Sequence, residues 1–380
     1  MRRRTALGIG IAVSVAVVLA IWLGWFPPWG DGGDEIVIGV LTPLTGEGAT
    51  YGEATRTALD LAVEEINRDG GIDGQMVRLV YEDTQLSPEV ATSALQKLIN
   101  VDQVPVIIGA FGSSITLAVA PVAEREHVVL FSASSTADSI KDAGDYIFRN
   151  VPPNNGQGRT AAEFAFTELG ARSAAILKMN NDYGISLTAA FAERYEELGG
   201  VILLEEGYNQ GDRDFRTQLA KIAMASPRMV FYPGHYQESG LILRQARELG
   251  ISAVFVGGDG SYSPELISIA GDAAEGSYYT LMGVGGTEFA SAIRSFESAY
   301  NSKYGEDPGV YSAYAYDALY CIADAIERGG YSADEIKQAL YSTQNLRGVT
   351  GYTNFDSFGE VDKPYSIYKV IGARFVLEAD

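Results

Sequence analysis

Val104-Pro-Val-Ile-Ile-Gly-Ala-Phe-Gly-Ser113-Ser114 and the later Val128-Val-Leu-Phe-Ser-Ala-Ser-Ser135-Thr136 decide the fold of this chain. Each is a short apolar run, the pattern of a strand buried on both faces, followed by a turn rich in glycine or hydroxyl side chains, and the first turn opens a helix. In an open α/β sheet, ligands sit beyond the carboxyl ends of the strands, where helix N-termini present free backbone N–H groups. Two such turns side by side suit a carboxylate. The same serines also suit helix caps, and from these residues alone both readings stand.

The strand and helix patterns continue on either side. Strands are expected at Ile36 to Leu41, Val77 to Tyr81, Val104 to Gly109 and Val128 to Phe131, with helices at Tyr51 to Arg68, Pro88 to Val101 and Ser114 to Glu126. After Asn150-Val-Pro-Pro-Asn-Asn-Gly156, rich in turn formers, the alternation restarts. Its strands lie near Ala174 to Leu177, Val201 to Leu204, Met229 to Tyr232 and Ala253 to Val256, with helices at Gly184 to Leu198, Phe215 to Ala225 and Glu238 to Leu249. This is the signature of two α/β lobes, each a parallel sheet with helices on both faces. The rest reads as helices at Glu288 to Tyr304, Val310 to Arg328 and Ala333 to Tyr341, a hairpin at Phe355 to Gly359 and a strand at Ser366 to Ile371. That tail is too small for a third domain and is expected to cross back and complete the first two. The expected divisions are 1–33 as anchor and tether, 34–152 plus 281–347 as lobe 1, and 153–280 plus 348–380 as lobe 2.

The first residues differ in kind. Met1-Arg-Arg-Arg4 precedes an uncharged run from Ala6 to Phe26, long enough for a bilayer-spanning helix, with the arginines on the cytoplasmic side. The run ends in Trp22-Leu-Gly-Trp-Phe-Pro-Pro-Trp29 rather than an Ala-x-Ala-like site, which favours an uncleaved membrane anchor over a removed signal. Gly30 to Asp34 reads as a flexible tether, and the domain beyond it as extracytoplasmic. The net charge of −21 repels phosphate backbones and argues against nucleic acid as a partner. The single cysteine, Cys321, has no internal partner and sits in an apolar helical pattern.

Enzyme and cofactor motifs are missing. Gly46-Glu-Gly-Ala-Thr-Tyr-Gly52 approaches a dinucleotide fingerprint but places Tyr51 where the third glycine belongs. No phosphate-binding P-loop and no G-x-S-x-G elbow occur, and the two histidines, His127 and His235, have neither zinc nor triad spacing. No catalytic residue, cofactor or metal is expected.

Four stretches together carry a resemblance: Ile36-Val-Ile-Gly-Val-Leu-Thr-Pro-Leu-Thr-Gly46, Glu65-Ile-Asn-Arg-Asp-Gly-Gly-Ile-Asp-Gly74, Leu243-Arg-Gln-Ala-Arg-Glu-Leu-Gly250 and Ala270-Gly-Asp-Ala-Ala-Glu-Gly276. The chain resembles the branched-chain amino-acid binding proteins of ABC uptake systems, which have the type I periplasmic-binding fold. The resemblance implies two lobes joined by a three-crossover hinge that close on an amino acid and deliver it to a membrane permease. It places the ligand carboxylate on Ser113, with Ser114 beside it, and on Ser135 and Thr136, the ammonium on Asp259, and aromatic walls at Tyr51 and Tyr183. His235 stands where the family commonly has an aromatic residue, with Tyr236 next to it, so the ligand side chain meets a changed surface. Gly112 and Gln85 occupy the places of a disulfide found in part of the family. Arg149 can reach the cleft or serve as an ion-pair residue of the hinge. Two alternatives remain: a sensory ectodomain, and a receptor for an amide, urea or an aromatic acid.

Overall fold

The computed structural model describes residues 35–379. The expected membrane anchor lies outside the described residues, among which no helix is long and apolar enough to cross a membrane.

The first sheet takes β1 (Ile36–Thr42), β2 (Val77–Asp83), β3 (Val106–Ile108), β4 (Val129–Ser132) and β5 (Ile147–Arg149) in the order β2-β1-β3-β4-β5, all parallel. Its helices are α1 (Ala49–Arg68), α2 (Pro88–Asn100) and α3 (Ser113–Arg125). Ser87 starts α2 by accepting from the Val90 N–H, with Pro88 at the first helical position. After β5 the chain enters the second lobe through α4 (Asn154–Thr167), β6 (Ser173–Met179), α5 (Asp182–Glu197), β7 (Val201–Tyr208), α6 (Arg216–Ala225), β8 (Met229–Phe231), α7 (Tyr236–Glu248), β9 (Val254–Gly257), α8 (Pro264–Ala270) and β10 (Tyr278–Met282).

The chain then returns to the first lobe as α9 (Ala290–Tyr304), α10 (Val310–Gly329) and α11 (Ala333–Tyr341), where α10 packs along α1. A two-stranded ribbon, β11 (Leu346–Gly348) and β12 (Gly351–Thr353), precedes the last crossing to β13 (Tyr365–Ile371) and β14 (Arg374–Ala379). The second sheet runs β14-β13-β10-β9-β8-β6-β7.

The tail therefore completes both lobes, as expected, but three particulars differ from the sequence reading. The second sheet is mixed rather than parallel, because β13 runs antiparallel to β10 and β14 antiparallel to β13. Phe355 to Gly359 is no hairpin: the Asp356 carboxylate accepts from the Phe358 and Glu360 N–H groups at 2.8 and 3.0 Å, forming a tight side-chain-closed turn. Helix α4 begins at the segment read as a boundary turn.

Tyr314 of α10 meets all three crossovers. Its carbonyl accepts from Asn150 Nδ2 at 2.9 Å just after β5, its hydroxyl donates to the Gly283 carbonyl at 2.8 Å just after β10, and the Lys363 ammonium, just before β13, lies 5.0 Å over its ring. One turn along α10, the buried Asp317 carboxylate accepts from the Val349 and Thr350 N–H groups, and Lys363 Nζ donates to Thr350 Oγ1 at 2.7 Å.

Candidate ligand-binding cleft

In each sheet the strand order reverses once, between β1 and β3 and between β6 and β8, and the loops beyond those carboxyl ends face one another. From the first lobe come the turns after β3 and β4. From the second come the starts of α5 and α7 and the turn after β9. Between them lies a compact cavity with about 260 Å³ of empty space, lined by Phe111, Gly112, Ser113, Ser134, Tyr183, His235, Asp259, Gly260 and Tyr311.

Neither hydroxyl-rich turn serves as a helix cap. Gly112 is the N-cap of α3 and no side chain caps it, while Ser113 Oγ instead accepts from the Ala137 N–H at 3.1 Å, tying the two turns together. Ser132 Oγ closes the second turn by accepting from the Ser135 N–H at 3.0 Å. The Ser135 hydroxyl is engaged inward, donating to the Ala110 carbonyl at 3.0 Å and lying 2.9 Å from Thr116 Oγ1, and it is Ser134 that lines the cavity. Thr136 is fully buried, and its hydroxyl has no hydrogen-bond partner among the described residues.

Asp259 supplies the opposite end. It is 2% exposed, with Oδ1 accepting from the Tyr183 hydroxyl at 2.8 Å and Oδ2 from the Tyr311 hydroxyl at 3.1 Å. Burial raises its pKa, against the lowering effect of hydrogen bonds from Gln157, Tyr183 and Tyr311. No Lys, Arg or His among the described residues forms an ion pair with it. Among the described residues this buried carboxylate therefore has hydrogen-bond donors but no counter-charge. Tyr183 is fixed in turn: its oxygen accepts from the Gly260 N–H at 3.0 Å, and a Cβ at Gly258 would stand 2.4 Å from that oxygen. Only glycine allows Tyr183 this close.

The remaining expected residues clamp the lobes shut. Tyr51 is buried, stacks on Phe111 at 4.6 Å, donates to the Gly260 carbonyl across the cleft and accepts from the Tyr236 N–H at 3.1 Å. The Tyr236 hydroxyl donates to the Glu47 carbonyl at 3.0 Å, and Ser114 Oγ accepts from the Asp182 N–H at 3.1 Å. Tyr51, Tyr236 and Ser114 thus sit beside the cavity rather than in its wall. Arg149 does not reach the cavity and is instead an ion-pair residue of the hinge, paired with Glu360.

Four contributors escaped the sequence reading: Phe111, Ser134, Gln157 and Tyr311. Phe111 and Ser134 lie inside the two quoted turns and could have been taken with them. Tyr311 comes from the returning tail, where it is one aromatic among many. A larger groove beyond Tyr51 and Tyr311, lined by Glu53, Glu306 and Asp307 among others, has no comparable buried unpaired group.

The family described as Periplasmic binding protein matches residues 35–374. The chain is 30% identical over 352 residues to the leucine-, isoleucine-, valine-, threonine- and alanine-binding protein of Pseudomonas aeruginosa, covering 92% of this chain and 94% of that one. The branched-chain amino acid transporter substrate binding protein of Streptococcus pneumoniae, solved in complex with isoleucine, superposes with a TM-score of 0.86 at 30% identity, over 91% of this chain and 99% of that one. A leucine binding protein of Thermotoga maritima gives 0.85 at 31% identity, over 90% and 98% of the two chains.

Proposed function

The chain belongs to the periplasmic binding protein family, and from that premise we propose that it is an extracytoplasmic receptor that closes on a neutral amino acid and hands it to an ABC permease. The observation that carries this is Asp259, a buried carboxylate held by two tyrosine hydroxyls with no cation of its own among the described residues, in one small cavity with Ser113 and Ser134, beside which the buried Thr136 hydroxyl has no partner. A zwitterion supplies both missing partners. Its ammonium pairs with Asp259 and meets the Tyr183 ring, and its carboxylate takes Ser113, Thr136 and the N–H groups of the two turns.

No Lys or Arg lines the cavity, which disfavours an acidic side chain. The lobes, 34–152 with 281–347 and 153–280 with 348–380, swing apart to admit the ligand, and Tyr51, Tyr236 and Ser114 re-form their contacts on closure. The segment 1–33 tethers the receptor to the membrane. No bond is made or broken in such a site, and no metal or cofactor is called for. Asp259→Asn tests the reading by calorimetry: affinity for the best-bound amino acid should fall a hundredfold or more, because a buried ammonium loses its counter-charge. Unchanged affinity would refute the assignment.

A further inference from the structure

His235 is a polar group of the cavity wall that the amino-acid backbone leaves unused. Ser113 and Thr136 answer the carboxylate, and Asp259 with Tyr183 answers the ammonium. The Tyr183 hydroxyl is already spent on Asp259 and the Gly260 N–H. Phe111 and Tyr311 present rings 5.1 Å apart, the Tyr311 hydroxyl being committed to Asp259. His235 lies 9% exposed against the same cavity, its ring roughly parallel to that of Tyr183 at 6.3 Å and edge-on to Tyr51 at 6.0 Å. Neither ring nitrogen has a hydrogen-bond partner among the described residues. Burial pushes its pKa down to about 4, so at neutral pH the ring carries one N–H donor and one bare nitrogen acceptor.

Resting on the amino-acid reading above, we propose that His235 sets the ligand class: the receptor prefers a small amino acid whose side chain carries a hydroxyl or amide over a purely aliphatic one of the same shape. An aliphatic side chain shuts the imidazole away from water with nothing to bond to, whereas a hydroxyl satisfies it. A site that leaves its own polar group unpaired discriminates far more strongly than one that merely lacks a methylene's worth of contact.

Threonine and valine are nearly equal in shape and differ by hydroxyl against methyl, so they isolate the effect. Calorimetric titration of the full chain with each should show threonine bound about tenfold or more tightly than valine. In His235→Phe the ratio should collapse to near one or invert. Valine binding as tightly as threonine to the unaltered protein, or an unchanged ratio in His235→Phe, overturns the proposal. The first comparison needs no variant and so stands whether or not His235→Phe folds. Failure of both ligands, with no other amino acid bound, overturns the amino-acid reading itself and this proposal with it, whereas valine bound as tightly as threonine, or neither bound while another amino acid is, overturns this proposal alone.

Discussion

Arg149 and Glu360 form an ion pair that joins the first crossover to the third. The guanidinium is fully buried at the end of β5, and it also donates to the carbonyls of Ala137 at 2.8 Å and Ser135 at 3.2 Å. These two carbonyls flank Thr136. The hinge and the turn proposed to hold the ligand carboxylate are therefore braced by one side chain.

Removing one member of this pair leaves a buried charge without a counter-ion. Glu360→Ala should lower stability by about 3 kcal/mol, read from the midpoint of urea unfolding at neutral pH. The double replacement Arg149→Met with Glu360→Leu should recover part of that loss, since no charge is then stranded. A single-variant loss below about 0.5 kcal/mol, the level of an ordinary surface change, would contradict the bracing role.

Thr136 separates stability from binding. Its hydroxyl is buried without a partner, so Thr136→Val, close in shape, should leave the unliganded protein as stable as before or slightly more so. Amino-acid affinity should nevertheless drop about tenfold, because the donor proposed for the ligand carboxylate is lost. Thermal unfolding with and without ligand reads both quantities in one experiment.

His235 has a pH signature. Its folded-state pKa is about 4, against 6.5 for an ordinary imidazole, the shift coming from burial. Above 6.5 neither state is charged; between 6.5 and 4 the unfolded chain takes up a proton that the folded chain refuses. Stability should accordingly fall as the pH is lowered through that window, by about 3 kcal/mol for this group. The raised pKa of buried Asp259 acts in the opposite sense towards acid pH, so the comparison is with His235→Phe measured alongside, whose profile should be flatter across the same window. Parallel profiles for the two proteins would contradict the buried neutral imidazole.

Gly258→Ala should disturb Tyr183. The added methyl would lie 2.4 Å from the Tyr183 oxygen and 2.6 Å from Leu187 Cδ2, so the hydroxyl that donates to Asp259 has to move. Overpacking of this kind costs about 1 to 3 kcal/mol, and a fall in ligand affinity should accompany it. Chemical denaturation together with calorimetry measures the two effects.

The sequence made the local units plain because buried parallel strands and amphipathic helices have strong periodicities. It concealed α4 for a physical reason. The helix contains Gly156 and Gly158, poor helix formers, yet a Cβ on Gly158 would stand 2.6 Å from both Ala190 Cβ and the Phe191 nitrogen of α5, so close helix packing demands the residue that masks the helix. At the site, Ser113, Tyr183, His235 and Asp259 were legible because each follows a strand at a turn. Tyr311 was not, because it reaches Asp259 only when a helix distant in the chain returns across the hinge. The inward commitment of the Ser135 hydroxyl, with Ser134 at the cavity, was equally hidden: adjacent serines look alike until the backbone chooses which one faces outward.

Three strands of chain that bend around one side chain share one pivot. Because Tyr314 touches all three crossovers, the opening proposed above would turn about one shared side chain rather than about three independent segments. The outer contour of the shut receptor is then fixed by whether the lobes have met, and the identity of the enclosed molecule is not written on the surface. The membrane permease proposed as its partner would then accept every ligand that permits full closure, which leaves selectivity to the few side chains within.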